Sequence, residues 1–223
     1  MVNTFLSGPK LPPFPFPPSI VTGKQFEEIK GPITLKIGDK TYPGITGVQN
    51  LKENQKADFV FTGENPVYVS YKPGNGPKDM ISYGGITKIA AKSDTVTRFI
   101  DAVKSKTSSF KDHGVEYSMP LDPNTDRDLI LKAMYGNQVG GDFGENNVQL
   151  ILQGNNISLK EEGDGVYSLS YSYVMFQPEI PEGAYAPVLN ARYAGDRNQF
   201  GITHCRVGVV PAGARSRAVS PFA

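Results

Sequence analysis

Three side chains in one short stretch have the types and spacing of a chemical site: Asp58, Ser70 and Lys72. They fall in Lys56-Ala57-Asp58-Phe59-Val60-Phe61 and in Pro66-Val67-Tyr68-Val69-Ser70-Tyr71-Lys72, two runs of β-branched and aromatic residues. Thr62-Gly63-Glu64-Asn65 and Pro66 punctuate the gap, which is the pattern of a hairpin. A turn centred on Glu64 sets Asp58 opposite Ser70 and Lys56 opposite Lys72. Because side chains alternate faces along a strand, Asp58, Ser70 and Lys72 then share one face, with opposed Cβ atoms roughly 4.5–5.5 Å apart. A carboxylate and an ammonium so placed make half of a metal-assisted phosphodiester-cleaving site. Such a site needs carboxylates to hold Mg²⁺, which activates water, and a cation to offset charge on the phosphate. The hairpin itself carries no second carboxylate. Candidates elsewhere are Glu27 and Glu28 near the N-terminus and Glu53 just before the first strand. An Asp and a Lys on an exposed hairpin face are equally consistent with ordinary surface residues.

Directly after Lys72 the chain passes through Pro73-Gly74-Asn75-Gly76-Pro77 into Lys78-Asp79-Met80-Ile81-Ser82-Tyr83-Gly84-Gly85-Ile86-Thr87-Lys88, a polar-to-apolar crossover. Over these residues the chain resembles the PD-(D/E)xK, or restriction-endonuclease-like, nuclease superfamily, which includes small phage-encoded members. Asp58 matches the first Asp of that pattern and Lys72 the Lys. Ser70 stands where an acidic residue is expected and Ala57 where a loosely kept Pro belongs. The resemblance covers about residues 25–105. It implies a mixed sheet flanked by helices, DNA as substrate and Mg²⁺ as cofactor. It also favours Glu27 or Glu28 as the second metal ligand, since family members often carry a Glu on the helix before the core. Ser70 offers only a neutral oxygen, so the alternative is a non-catalytic structural or assembly protein, such as a virion component, with a nuclease-like fold.

Composition bounds these expectations. A chain of 223 residues buries a sizeable core and fits one domain, about 23–210, between an N-terminal arm, 1–22, and an irregular tail, 211–223. With a net charge of +1 there is no global field to draw in a polyanion, so nucleic acid requires a local basic patch. Arg192 and Arg197, with Lys78, are the candidates for phosphate contacts, and Arg206 follows them. Pairing of Arg192 or Arg197 with Asp196 or Glu182 is the competing expectation. The single Cys205 excludes an internal disulfide framework and a cysteine-based metal cluster. It follows His204 directly, so the two point to opposite faces of a strand and form no dyad. No apolar run reaches the ~18–20 residues of a membrane span and no signal-peptide pattern opens the chain. The expectation is a protein of the cytoplasm, the host's or the virion's if phage-encoded.

The elements follow from pattern. The stretch 8–18, with Leu11-Pro12-Pro13-Phe14-Pro15-Phe16, predicts extended polyproline II, suited to gripping a groove or a neighbouring subunit. A short helix is expected over 23–30, then a hairpin Ile33–Ile37 to Lys40–Tyr42 about Gly38-Asp39, and a short helix over 82–91. Val96, Phe99, Ile100 and Val103 make a helical stripe after Ser93 or Thr95 as cap. Asp122 to Asp128 fails as a calcium loop, having Arg127 at position six and Ala133 at twelve; it opens a helix to Tyr135, closed by Gly136. Beyond Gly144 the pattern turns β, with Val148–Leu152, Ile157–Lys160, Val166–Met175 and His204–Val210. Tyr167, Leu169, Tyr171 and Tyr173 are expected to share one face of the long third strand.

Overall fold

The computed structural model describes residues 18–29, 31–52, 55–86 and 93–223. The chain is mixed α/β and rich in strand. Twelve strands form two sheets and three α-helices pack beside them among the described residues. In the larger sheet, β1 (Ile33–Ile37), β2 (Lys40–Asn50), β3 (Phe59–Gly63) and β4 (Val67–Lys72) run as an antiparallel meander. Later strands flank it on both sides: β7 (Leu150–Gln153) joins β4 in parallel, and β9 (Val166–Ser170) joins β1 in parallel. β10 (Tyr173–Phe176) and β8 (Ser158–Gly163) complete the order β10-β7-β4-β3-β2-β1-β9-β8. The second sheet is antiparallel, in the order β5 (Gly84–Gly85), β12 (Cys205–Pro211), β11 (Pro187–Tyr193), β6 (Tyr117–Pro120).

Alternation along the meander builds two cores. Phe59, Phe61, Val67 and Val69 face one, where they meet Leu35, Ile37, Leu150 and Phe26 of α1 (Pro18–Glu28). Phe26 lies 6.4 Å from Phe61, ring to ring. The opposite face carries Tyr68, with Ile151 and Met175, into the second core. There α2 (Asp94–Lys106), α3 (Arg127–Tyr135) and the inner face of the second sheet close over it. The stripe Val96, Phe99, Ile100, Val103 is buried as its spacing dictates, and Ser93 Oγ accepts from Val96 N–H at 3.3 Å to cap α2.

Three expectations are corrected. α1 begins at Pro18, so the helix takes in residues assigned to the arm; proline is tolerated in a first helical turn, where its missing N–H has no intrahelical partner. The rest of the arm, 1–17, lies outside the described residues. The stretch 82–86 is extended: Tyr83 N–H and Ser82 Oγ both donate to Val209 C=O and lay the chain against β12. Gly84 is required there, because a Cβ would come within 2.2 Å of Ala133 O. The remainder of that expected helix, 87–91, lies outside the described residues. Finally, Val166–Met175 is two strands. The chain breaks at Tyr171-Ser172, with Ser172 N–H bonded to Gln153 O, so β9 and β10 lie far apart in the sheet's strand order. The aromatic ladder splits with it: Tyr167 and Tyr171 pack on the first core and Tyr173 on the second.

The second core is stitched by phenols. Tyr83 Oη donates to Tyr185 O (2.5 Å), Tyr135 Oη to Glu179 O (2.7 Å), and the Tyr173 and Tyr185 rings stack at 3.9 Å. Burial pushes the Tyr83 and Tyr135 phenols far up, and Tyr42 up to about 12. A raised phenol stabilises the fold below its unfolded value near 10, and that contribution is lost as pH climbs beyond it. We expect the denaturant midpoint to fall steadily above pH 10, with the Tyr83→Phe and Tyr135→Phe variants showing a shallower fall. Absorbance titration at 295 nm should show these two phenols ionising only as the protein unfolds.

Candidate functional site

The hairpin register is Phe59↔Val69, Val60↔Tyr68, Phe61↔Val67, which continues to Asp58 beside Ser70 as the turn at Glu64 requires. The ladder then breaks. Asp58 N–H bonds Val69 O (2.8 Å), the carbonyl of the residue paired with Phe59. The chain before it swings away, with Lys56 and Ala57 N–H groups donating to Glu145 O (2.9 and 2.8 Å). Lys56 is therefore not Lys72's ladder partner. The Tyr71 N–H, left without a strand carbonyl, is taken by the Asp58 carboxylate: Oδ2 accepts it at 2.6 Å. The same oxygen accepts from Ser70 Oγ at 3.3 Å and lies 4.0 Å from Lys72 Nζ. Asp58, Ser70 and Lys72 thus gather on one face. The Asp58 side chain is 49% exposed, Lys72 is 19% exposed and Ser70 is buried.

A fourth group belongs to the cluster. Lys56 Nζ donates to Tyr83 O (2.7 Å) and Ala133 O (2.8 Å), tying the hairpin's entry to β5 and the end of α3. Burial holds the Lys56 ammonium well below the usual lysine range; Lys72 lowers it further and Asp58 opposes the shift. Lys72 is also depressed, first by burial, with Asp58 raising it and Arg206 lowering it. Lys56 carries no motif of its own, and its role appears only where α3 presents the carbonyl of Ala133 to it.

The expected metal ligands do not converge here. The helix bearing Glu27 and Glu28 packs through Phe26 on the Phe61 side of the sheet, whereas Asp58 faces Lys72 on the other. Glu28 instead lines a cleft with Gln25, Leu159, Glu161 and Tyr167. Glu53 lies outside the described residues. Among the described residues no three His, Cys, Asp or Glu side chains gather around one point. A single carboxylate beside Lys72 falls short of the several oxygen ligands that a divalent cation takes.

Lys78 is exposed on the 3₁₀ turn Pro77–Asp79. Arg192 and Arg197 fall elsewhere, with Arg206, on and beside the outer face of the second sheet. Arg192 pairs in register with Arg206, and Arg197 follows in the connecting loop. Arg192 and Arg197 make no ion pair with Asp196 or Glu182 among the described residues. The ion pair on this face joins Arg215 to Glu116. Glu116, Asn190 and Arg215 escaped the sequence reading, although the alternation of Val188 to Arg192 already set Asn190 and Arg192 on one face.

No family model, curated protein or solved structure matches the chain. No helix among the described residues is long and apolar enough to cross a membrane.

The depressed lysines set a sign. The unfolded chain binds more protons than the folded one between their lowered values and about 10.4, so stability rises with pH across that window. Chemical denaturation at pH 7.5, 8.5 and 9.5 should show this rise. Lys56→Met should flatten it, while costing about 1–3 kcal/mol at pH 7.5 through the two carbonyls it strands.

Proposed function

We propose that this chain is a non-catalytic structural or assembly protein that carries a nuclease-like hairpin. The observation behind this reading is how the Asp58 carboxylate is used. It closes the mouth of the hairpin, its Oδ2 accepting Tyr71 N–H and Ser70 Oγ, where a catalytic acid would need its oxygens for a metal. The neighbouring ammonium of Lys56 is spent on two backbone carbonyls, and Ser70 replaces the second acid.

A second reading, a Mg²⁺-dependent DNA phosphodiesterase with a restriction-endonuclease-like core, is favoured by the shared face of Asp58 and Lys72 and by the half-exposed carboxylate. It requires a further acid, for which Glu53 is the candidate.

One experiment separates them. Purified protein is incubated with single- and double-stranded DNA in Mg²⁺ or Mn²⁺, beside the Asp58→Ala and Asp58→Asn variants. The first reading expects no cleavage from any of the three. It also expects Asp58→Ala to lose about 1–3 kcal/mol in denaturant unfolding, and Asp58→Asn, which keeps an acceptor for Tyr71, to lose less. Metal-dependent cleavage that disappears in both variants would establish the second reading instead.

A further inference from the structure

The outer face of the second sheet concentrates positive charge in a way that folding alone does not explain. Arg192 and Arg206 stand directly opposite each other on β11 and β12, a like-charged cross-strand pair that costs stability. Their neighbours inward along the same face are Asn190 and Gly208, also paired. The pairing of Ala191 with Tyr117 places Glu116, just before β6, next to Arg192. Arg215 reaches this spot from the 3₁₀ turn Ala212–Arg215, its Nε 3.5 Å from Glu116 Oε2. Arg206 is depressed first by burial and then by Arg197 and Arg215; Arg192 is depressed first by burial and then by Arg215 and Arg206. Among the described residues, four guanidinium groups therefore share one carboxylate, and two of them are half-buried.

The floor of this cluster is unfinished. Asn190 is 1% exposed; its Nδ2 donates to Tyr117 O (3.2 Å) and to Glu116 Oε2 (3.5 Å), yet its Oδ1 has no hydrogen-bond partner. Arg215 Nε is buried too, and its ion pair with Glu116 lacks hydrogen-bond geometry. Buried polar atoms are normally satisfied, and mutually repelling guanidinium groups are normally separated or paired with acids. Both departures occur at the same place. A tetrahedral oxyanion seated among Arg192, Arg206 and Arg215 removes both: it accepts from the forked donors and offsets their repulsion. A phosphate that carries a hydroxyl also has a donor to offer Asn190 Oδ1.

We infer that the outer face of β11 and β12 is a phosphate-binding site built by Arg192, Arg206 and Arg215, with Arg197 at its rim and Asn190 at its floor. Its ligand is a phosphate group, borne either by a small phosphorylated molecule or by a nucleic-acid backbone. The site lies on the second sheet and is argued independently of the reading given to the Asp58 hairpin, although Arg206 is near enough to Lys72 to lower it.

Two measurements on the full chain test this inference. The first is the melting temperature in sodium phosphate against sodium chloride at matched ionic strength. The second is anisotropy of a labelled single-stranded oligonucleotide over a salt series. Both are run on the native chain, on Arg192→Gln and Arg206→Gln, and on Arg98→Gln as a charge-matched control that lies over Phe222. Phosphate should raise the melting temperature of the native chain and the control. Each site variant should lose most of that rise, with roughly tenfold weaker phosphate affinity. Oligonucleotide binding that weakens in both site variants, with a salt slope smaller by about one, assigns the phosphate to a nucleic-acid backbone. A phosphate effect without oligonucleotide binding assigns a small phosphorylated ligand. Unliganded site variants should melt no lower than the native chain, since each removes a repulsion. A native chain indifferent to both probes, or site variants that respond to phosphate as the control does, would overturn the inference.

Discussion

The bond from Tyr71 N–H to the Asp58 carboxylate is the constraint around which the two layers of this protein are arranged. A hairpin whose ladder ran on past Asp58 would keep Lys56 and Ala57 in the larger sheet. Instead a side chain stands in for the next backbone acceptor, and the chain before it is free to leave the sheet for Glu145. That departure carries Lys56 to the carbonyls of Tyr83 and Ala133, where the second layer begins. A carboxylate is suited to the task, because a charge-assisted hydrogen bond of 2.6 Å is stronger than the amide pair it replaces. The same group also offsets the charge of Lys72, 4.0 Å away.

This economy gives the shared face of Asp58, Ser70 and Lys72 a structural use. Asp, Ser and Lys on one sheet face are compatible with a metal site only if the carboxylate is unspent and a second acid joins it. Here the acid fixes the backbone and its immediate companions are cations. What the cluster gains is a junction at which the meander, α3 and β5 are held by a few polar contacts between apolar layers. The charge that has no such structural use lies elsewhere, on the outer face of the second sheet.

Much of the fold was legible in the residues. The hairpin register followed from the turn at Glu64, α2 from its cap and apolar stripe, and α3 from its closing Gly136, because these features are local. Asp58, Ser70 and Lys72 meet as alternation requires. What escaped were facts that only tertiary contacts decide. The long β pattern of Val166–Met175 is locally uniform, and nothing in its residues marks Tyr171-Ser172 as the point where it changes neighbours; Gln153 O makes that decision from a distant strand. The stretch at Ser82 follows Val209, well over a hundred residues on, against its own mixed propensities. Glu28 carried the right chemistry, but the face on which α1 packs is set by Phe26 and places it across the sheet from Asp58. The arginine cluster assembles from β6, β11, β12 and the turn after Pro211, a convergence with no signature along the chain.

The flanking of the β1–β4 meander has a consequence for how the chain reaches this state during synthesis. Its four strands are near neighbours in sequence and can zip together early, but both outer strands then present bare backbone. β4 waits for Leu150–Gln153 and β1 for Val166–Ser170, each arriving in parallel from the far half of the chain. Until Ser170 has emerged, the nascent protein carries adhesive borders of the kind that recruits foreign strands. The exposure of β1 and β4 as bare edges is therefore confined to that interval.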